Sequence, residues 1–256
     1  MSFSYYGELC TEVYDLTKKV GQSIAGDIDY YLKRLENCQG PILEAMAGSG
    51  RVLISLLEAG LQAEGVDYSP DMLASCCRRC EERGLQAKLY QSDLQTLSLP
   101  TRYEAILIPA GSFLLIENRE QSVLALQRLY EHLQPGGRLL MDIFLPEPRF
   151  ETGASTDTST YALPNGDTIT LQRTLVEADF LRQYTVTHLR YEKWRDGKLL
   201  QTELQRFALR WYGVEEFKLL LADIGFTDIV VSADFVYGQK PVHANQTFMF
   251  EAVRPL

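Results

Sequence analysis

The feature that most constrains this chain is a regular alternation of short apolar runs and helical patterns through its first half. Pro41-Ile-Leu-Glu-Ala-Met46 reads as a strand, Gly48-Ser-Gly50 as a turn and Arg51 to Ala59 as a helix. Gln62 to Val66 is a second strand. It is followed by a helix from Pro70 to Arg83, with Ser69 as its cap and Gly84 as its stop. Ala87 to Tyr90 and Tyr103 to Pro109 are strands three and four. The helix Arg119 to Leu133 carries Val123, Leu126, Leu129, Tyr130 and Leu133 on one face, and Pro135-Gly-Gly137 ends it before a fifth strand, Arg138 to Phe144. Strands of this kind, separated by helices, form a parallel sheet covered on both faces.

Residues 151–212 follow a different rule. Asn165-Gly166 and Asp196-Gly197 read as two-residue hairpin turns between β-rich stretches, which predicts an antiparallel meander of about four strands. Tyr184 and Val186 fall on one strand face and Leu189 and Tyr191 on the other, so a bulge is expected near His188. Helical periodicity returns at Val214 to Ile224, closed by Gly225, and Ile229 to Ser232 and Thr247 to Val253 are final strands. The expected division is therefore a main domain of residues 1–150 and 213–256 with an N-terminal helical cap, and an inserted β subdomain of residues 151–212.

The turn after the first strand carries the chemistry. In an open α/β sheet, ligands bind beyond the carboxyl ends of the strands. Gly48 and Gly50 allow backbone to approach a ligand closely. The second strand ends at Asp67, 19 residues after Gly48, where a carboxylate can accept from both hydroxyls of a ribose. Glycine turn and downstream acid together indicate a nucleoside-containing cofactor. A dinucleotide fingerprint would need glycine at Leu53, and a phosphate-cradling loop would need Lys and Ser or Thr at Arg51 and Val52.

Charge and composition exclude several other classes. The formal net charge of −9 argues against nonspecific nucleic-acid binding through a basic field. It divides as −6 over residues 1–150, neutral over 151–212 and −3 over 213–256. No apolar run reaches the roughly 18 residues of a membrane span, and Met1 to Gly7 lacks the blocks of a signal peptide. Five Cys, three of them clustered at Cys76, Cys77 and Cys80, read as reduced thiols, so a cytoplasmic location is expected. No metal-ligand spacing connects them to the scattered His132, His188 and His243, so no metal is expected.

With these residues in place, the sequence resembles the class I S-adenosylmethionine-dependent methyltransferases. Leu43-Glu-Ala-Met-Ala-Gly-Ser-Gly50 is similar to their first motif, with Met46 standing where the motif has its first glycine. Gly65-Val-Asp-Tyr-Ser-Pro-Asp-Met72, Tyr90-Gln-Ser-Asp93 with Leu94, Tyr103 to Ser112, Leu133-Gln-Pro-Gly-Gly-Arg138 and Gly213 to Phe226 resemble the later motifs in order. Tyr5-Tyr6, Val13-Tyr-Asp15 and the meander resemble the layout of sugar-amine N-methyltransferases. The resemblance implies an α/β fold: a Rossmann-like, doubly wound, mostly parallel seven-stranded sheet with an inserted antiparallel β meander. It implies S-adenosylmethionine as cofactor.

It also implies roles for particular residues. Glu44 would organise the cofactor's ammonium, with Ala45, Met46, Ala47, Gly48 and Gly50 lying along its methionine chain. Asp67 would grip the ribose, Tyr68 and Met72 would pack on the adenine, and Asp93 and Leu94 would hold the adenine edge. Pro109 and Ala110 would floor the sulfonium region, and Tyr14 would contact the carboxylate or sulfonium. On the acceptor side the candidates are Tyr5, Tyr6, Phe113, Phe144, Tyr191 and Trp194, with Tyr6 and His188 the only candidates for a catalytic group. The expected activity is methyl transfer to an amine or hydroxyl of a small molecule, by a monomer or homodimer, with no nucleic-acid or membrane partner. A noncatalytic cofactor-binding module, an activating subunit and methylation of a macromolecule are the alternatives. The Asn-Pro-Pro-Tyr-like motif of enzymes that methylate nucleobase or glutamine amides is missing, and Pro109-Ala-Gly-Ser112 stands in its place.

Overall fold

The structure, a computed structural model, describes residues 3–146, 152–153 and 156–256. Two helices, α1 (Glu8–Thr17) and α2 (Asp27–Leu35), precede β1 (Ile42–Ala45), α3 (Leu53–Glu58), β2 (Ala63–Asp67), α4 (Pro70–Glu81) and β3 (Lys88–Gln91). Then come β4 (Tyr103–Ile108), α5 (Arg119–His132) and β5 (Leu133–Phe144). Four long strands follow: β6 (Thr156–Ala162), β7 (Thr168–Asp179), β8 (Tyr184–Arg195) and β9 (Lys198–Arg210). The chain closes with α6 (Val214–Ile224), β10 (Thr227–Ala233) and β11 (Thr247–Val253).

Seven strands form one sheet in the order β10-β11-β5-β4-β1-β2-β3. The pairs β3–β2, β2–β1, β1–β4 and β4–β5 are parallel, and only β11 runs against its neighbours. Successive residues of the central strands serve opposite cores. Leu43, Ile106, Ile108 and Met141 pack with Leu126, Leu129, Phe217 and Leu221 from α5 and α6. Ile42, Ala105, Leu107 and Leu140 pack with Ile28, Tyr31, Leu35, Leu53 and Ile54 on the other face. This two-sided burial explains why these strands are apolar throughout instead of alternating. The doubly wound sheet read from the sequence is present.

The second sheet, β6-β7-β8-β9, is wholly antiparallel. Two details differ from the sequence reading. Asn165-Gly166 is part of a longer turn: Leu163 N–H donates to Asp167 O, and Gly166 N–H to Leu163 O, with Gly166 left-handed at φ 89°. Pro164 presets the first corner, and the glycine absorbs the reversal. The Asp196-Gly197 turn has two residues, both left-handed at φ 47° and 73°, closed by the Arg195–Lys198 pair. The expected bulge at His188 is also absent from β8, which pairs with β9 without interruption from Tyr184 to Lys193. The register shift lies across from it, on β7 between Leu175 and Glu177. The change of buried face has another cause: each end of β8 is covered from a different side. Leu189 and Tyr191 pack against Leu9, Cys10 and Val13 of α1, whereas Tyr184 and Val186 cluster with Ala208 of β9.

The expected boundary between residues 150 and 151 lies outside the described residues. The two sheets are joined by the N-terminal segment. Ser4 N–H donates to Leu204 O (2.8 Å), and the free N–H of Leu9 at the start of α1 is capped by Glu203 Oε2 (2.9 Å). Glu12 of α1 pairs with Lys193 of β8 (2.9 Å). On its other side α1 is stapled to α4, where Asp15 accepts from Arg79 (3.1 Å) and Arg78 (2.9 Å). Arg79 continues to Ser49 Oγ (2.6 Å) and Lys18 O (2.9 Å), binding the helix to the glycine turn.

A buried ion pair fixes the start of α2. Asp27 and Arg51 are 1% and 4% exposed, and the guanidinium grips both carboxylate oxygens. Asp27 also accepts from the backbone of Ile24 (2.7 Å) and Ile28 (2.8 Å). Breaking one half of such a pair strands a charge in the interior. Arg51→Met is expected to lower the unfolding free energy by about 3–5 kcal/mol in urea titration at neutral pH. The Asp27→Asn/Arg51→Met double variant is expected to lose less, because it buries no charge.

Candidate functional site

A cavity of about 930 Å³ opens at the carboxyl edge of the parallel sheet. One wall comes from the ends of β1 and β2 and the loop after β3, with Met46, Gly48, Asp67, Tyr68, Asp93 and Leu94. The N-terminal segment and α1 contribute Tyr5, Tyr6 and Tyr14, and α4 contributes Met72. The opposite wall is built from Ser112, residues 115–121, residues 181–184 around the β7–β8 turn, and Arg210 at the end of β9.

The turn after β1 reverses through three left-handed residues, Met46 (φ 60°), Gly48 (φ 55°) and Gly50 (φ 82°). At Gly50 a side chain would also strike Cys76 Sγ at 2.5 Å and Ile54, so this glycine is set by close packing. At Gly48 a Cβ would meet no protein atom within 4 Å, so the backbone here faces open space. Met46 has no glycine's freedom. A left-handed non-glycine residue costs on the order of 1 kcal/mol or more, and its side chain packs against the sheet core while also lining the cavity.

Asp67 organises this wall. Its Oδ2 accepts from Gly48 N–H (2.8 Å) and its Oδ1 from Ser69 N–H (2.9 Å). Burial raises the Asp67 pKa, opposed by these backbone donors. Ser69 caps α4 by accepting from Met72 N–H (3.1 Å), and its hydroxyl donates to Tyr6 O (2.6 Å), holding the N-terminal segment over the site. Tyr5 makes edge contacts with both Tyr6 and Tyr68, each at 5.3 Å between ring centres.

Glu44 lies on β1 behind this turn and is 2% exposed. Its Oε2 is buried with no hydrogen-bond partner. Burial, aided by the charges of Asp67 and Asp27 and opposed by Arg51, pushes its pKa up to about 8. An orphaned carboxylate oxygen in the interior is costly, and a cationic ligand group is what would satisfy it. At the end of β4, Ala110 (φ 59°) and Gly111 (φ 64°) are left-handed in succession. Both N–H groups donate to the buried Asp142 of β5, at 2.9 and 2.7 Å, and Tyr31 donates to the same carboxylate at 2.7 Å. Two successive amides converging on one anion form a nest that fixes this loop. Burial raises Asp142 to about 6 against those three donors.

Residues 42–137 match the family model for a methyltransferase domain. The chain has the fold of S-adenosylmethionine-dependent methyltransferases of known structure. A demethylmenaquinone methyltransferase of Thermus thermophilus is 34% identical over 118 residues, covering 45% of this chain and 52% of that protein. The match thus spans about half the length of that relative. Among solved structures, an S-adenosylmethionine-dependent methyltransferase from Clostridium acetobutylicum superposes with a TM-score of 0.75 at 15% identity, covering 95% of this chain and 97% of that one. The sugar N-methyltransferase KedS8 from a Streptoalloteichus species gives 0.72 at 22% identity, covering 100% and 98%. Both likenesses are of fold.

The fold brings many of the sequence candidates together at the cavity: Tyr5, Tyr6, Tyr14, Met46, Gly48, Asp67, Tyr68, Met72, Asp93 and Leu94. Glu44, Ala45, Ala47, Gly50, Pro109 and Ala110 are not among the lining residues. Of the aromatic acceptor-side candidates only Tyr5 and Tyr6 line the cavity; Phe113, Phe144, Tyr191 and Trp194 do not. Phe113 is fully buried with Tyr212 and Phe217, and Tyr191 lies under α1, donating to Cys10 Sγ (3.3 Å). Trp194 donates to Thr170 within the meander (3.2 Å), and Phe144 packs on Gly111. His188 stacks beside Phe3 (5.1 Å) and does not line the cavity. Burial raises the Tyr6 phenol well above its ordinary value, so at neutral pH it can donate a hydrogen bond but not accept a proton. The wall that sequence reasoning missed is polar: Ser112, Glu117, Arg119, Gln183 and Arg210. Its one available signal was β periodicity, since Arg206 and Arg210 share a strand face.

The fit of the S-adenosylmethionine group to these residues rests on the orphaned Glu44 oxygen, the open space at Gly48 and the Asp67 carboxylate. The Glu44 pKa supplies a test. It lies above the ordinary 4.5, so the folded state holds a proton that the unfolded chain releases. Its contribution to stability is therefore full below pH 4.5 and is lost as pH rises through about 8. Glu44→Gln removes this titration. Its melting temperature is expected to match the wild type near pH 5 and to exceed it by several degrees near pH 9, as read by calorimetry.

Proposed function

We propose that the chain transfers the methyl group of S-adenosylmethionine to an amine of a small molecule by in-line displacement. The observation that carries this reading is the pairing of Glu44 and Asp67 across one glycine turn. A buried carboxylate with an unpartnered oxygen stands behind it, and a backbone-anchored carboxylate stands on the cavity wall. In the proposed arrangement Glu44 receives the cofactor's ammonium, Asp67 accepts from the ribose hydroxyls, and Tyr68 and Met72 flank the adenine beside Asp93 and Leu94. Tyr14 and the Ala110–Gly111 nest border the methionine end.

S-adenosylmethionine supplies an activated methyl on a sulfonium, so the protein's task is alignment and exclusion of water. Tyr5 and Tyr6, held by the Ser69 bond to Tyr6 O, close the site from the N-terminal side. Among the described residues no histidine lines the cavity, and the Tyr6 phenol keeps its proton. A hydroxyl or carbon acceptor needs a base to take its proton, whereas a neutral amine does not. That difference favours nitrogen over oxygen, and the fold likeness to a sugar N-methyltransferase supports the same choice. A neutral meander beside an acidic frame fits a small acceptor better than a polyanion.

Isothermal titration with S-adenosylmethionine tests the cofactor assignment directly. The folded wild type is expected to bind, and Asp67→Ala to bind roughly tenfold or more weakly through loss of charge-assisted hydrogen bonds. Absence of binding at millimolar cofactor overturns the reading.

A further inference from the structure

One buried cation on the cavity wall has no ion-pair partner among the described residues. Arg210, the last residue of β9, is 5% exposed and lines the wall opposite Asp67. Its guanidinium carries a positive charge and five donors. One of them, Nε, donates to Glu117 O at 2.6 Å, and the group lies 5.9 Å from the Tyr212 ring centre. Among the described residues no carboxylate forms an ion pair with it, and no hydrogen bond is made by either Nη.

The neighbouring carboxylates are already committed. Glu117 is held in a two-pronged pair by Arg206. Glu216 accepts from Arg119 (2.6 Å), Gln183 (3.0 Å) and Gly213 N–H (3.1 Å). Glu177 is taken by the hydroxyl of Tyr184, the residue paired with Arg210 across the β8–β9 ladder. A buried cation without a partner is costly, and a guanidinium's free edge is shaped for two oxygens of one anion.

We propose that Arg210 is the anion-binding residue of the acceptor site, and that the acceptor carries a carboxylate or phosphate group. The inference deepens the proposed methyl transfer by naming the acceptor's charge. It predicts that the anionic group docks on the β9 wall while the amine points across the cavity towards Glu44 and the Ala110–Gly111 loop. The Arg206–Glu117 pair and the Gln183–Glu216–Arg119 network keep the surrounding acids from neutralising Arg210 themselves.

The test uses the full chain saturated with S-adenosylhomocysteine, at constant ionic strength held by chloride. Inorganic phosphate and acetate are titrated separately, with melting temperature and calorimetric heat as readouts. Saturable stabilisation by one of them, reduced roughly tenfold or more in Arg210→Gln, supports the assignment, and the stronger anion tells phosphate from carboxylate. Arg210→Lys keeps the charge and is expected to retain part of the response. Equal responses in wild type and Arg210→Gln, or no response beyond chloride, overturn it. Anion binding that competes with S-adenosylhomocysteine also overturns it, because Arg210 would then serve the cofactor's own carboxylate. Protection of Arg210 from phenylglyoxal by the same anions, read by mass spectrometry on the wild type, decides the matter if Arg210→Gln does not fold. Failure of S-adenosylhomocysteine to bind removes the methyltransferase reading alone, since phosphate binding at Arg210 is still measured without it.

Discussion

The hydrogen bond from Gly48 N–H to the Asp67 carboxylate is the contact on which the site depends. It spans the carboxyl ends of two adjacent parallel strands and holds open a turn that leaves the sheet through left-handed backbone. Asp67 uses its second oxygen to set Ser69, Ser69 caps α4, and the same hydroxyl holds the backbone of Tyr6. A single carboxylate thereby registers the glycine turn, the next helix and the N-terminal cover. Burial that raises its pKa and donors that lower it are both consequences of that position.

Ionic contacts carry this order outward from the turn. Arg51 fixes α2 through Asp27, and Arg79 ties α1 to Ser49 through Asp15 and Lys18. The N-terminal helices are thus bound to the turn by buried guanidinium groups in addition to apolar packing. The meander joins from the other side, through Glu203 on the α1 N-terminus and Arg206 on Glu117. Two left-handed non-glycine residues, Met46 and Ala110, stand at the ends of neighbouring strands β1 and β4 on this edge. At Ala110 the cost is offset by Asp142, which collects two amides and a phenol.

The sheet was legible because both faces of β1 and β4 are buried, which leaves continuous apolar runs that few other arrangements tolerate. The Asp67 position was legible because strand, turn and strand occur at short range. The acceptor wall was not. Aromatic residues such as Phe113 and Tyr191 looked like ligand contacts, but a large apolar surface gains most by full burial, and the fold offered each of them a core. Arg210 carries no motif of its own, and its place on the wall depends on β9 meeting the Ser112–Leu115 turn. The apparent bulge at His188 was a change of covering partner, which depends on α1 and not on β8 itself.

By itself the sequence determined the order of strands and helices, the glycine turn and the acid that anchors it, because those depend on periodicity and on contacts close along the chain. Only the tertiary structure decided which polar groups share the cavity, since Asp67, Glu117 and Arg210 are brought to it by strands and loops far apart in sequence. Whether a charge is matched there is a property of the assembled surroundings. Glu117 found Arg206, Glu216 found Arg119, and Arg210 was left facing the cavity.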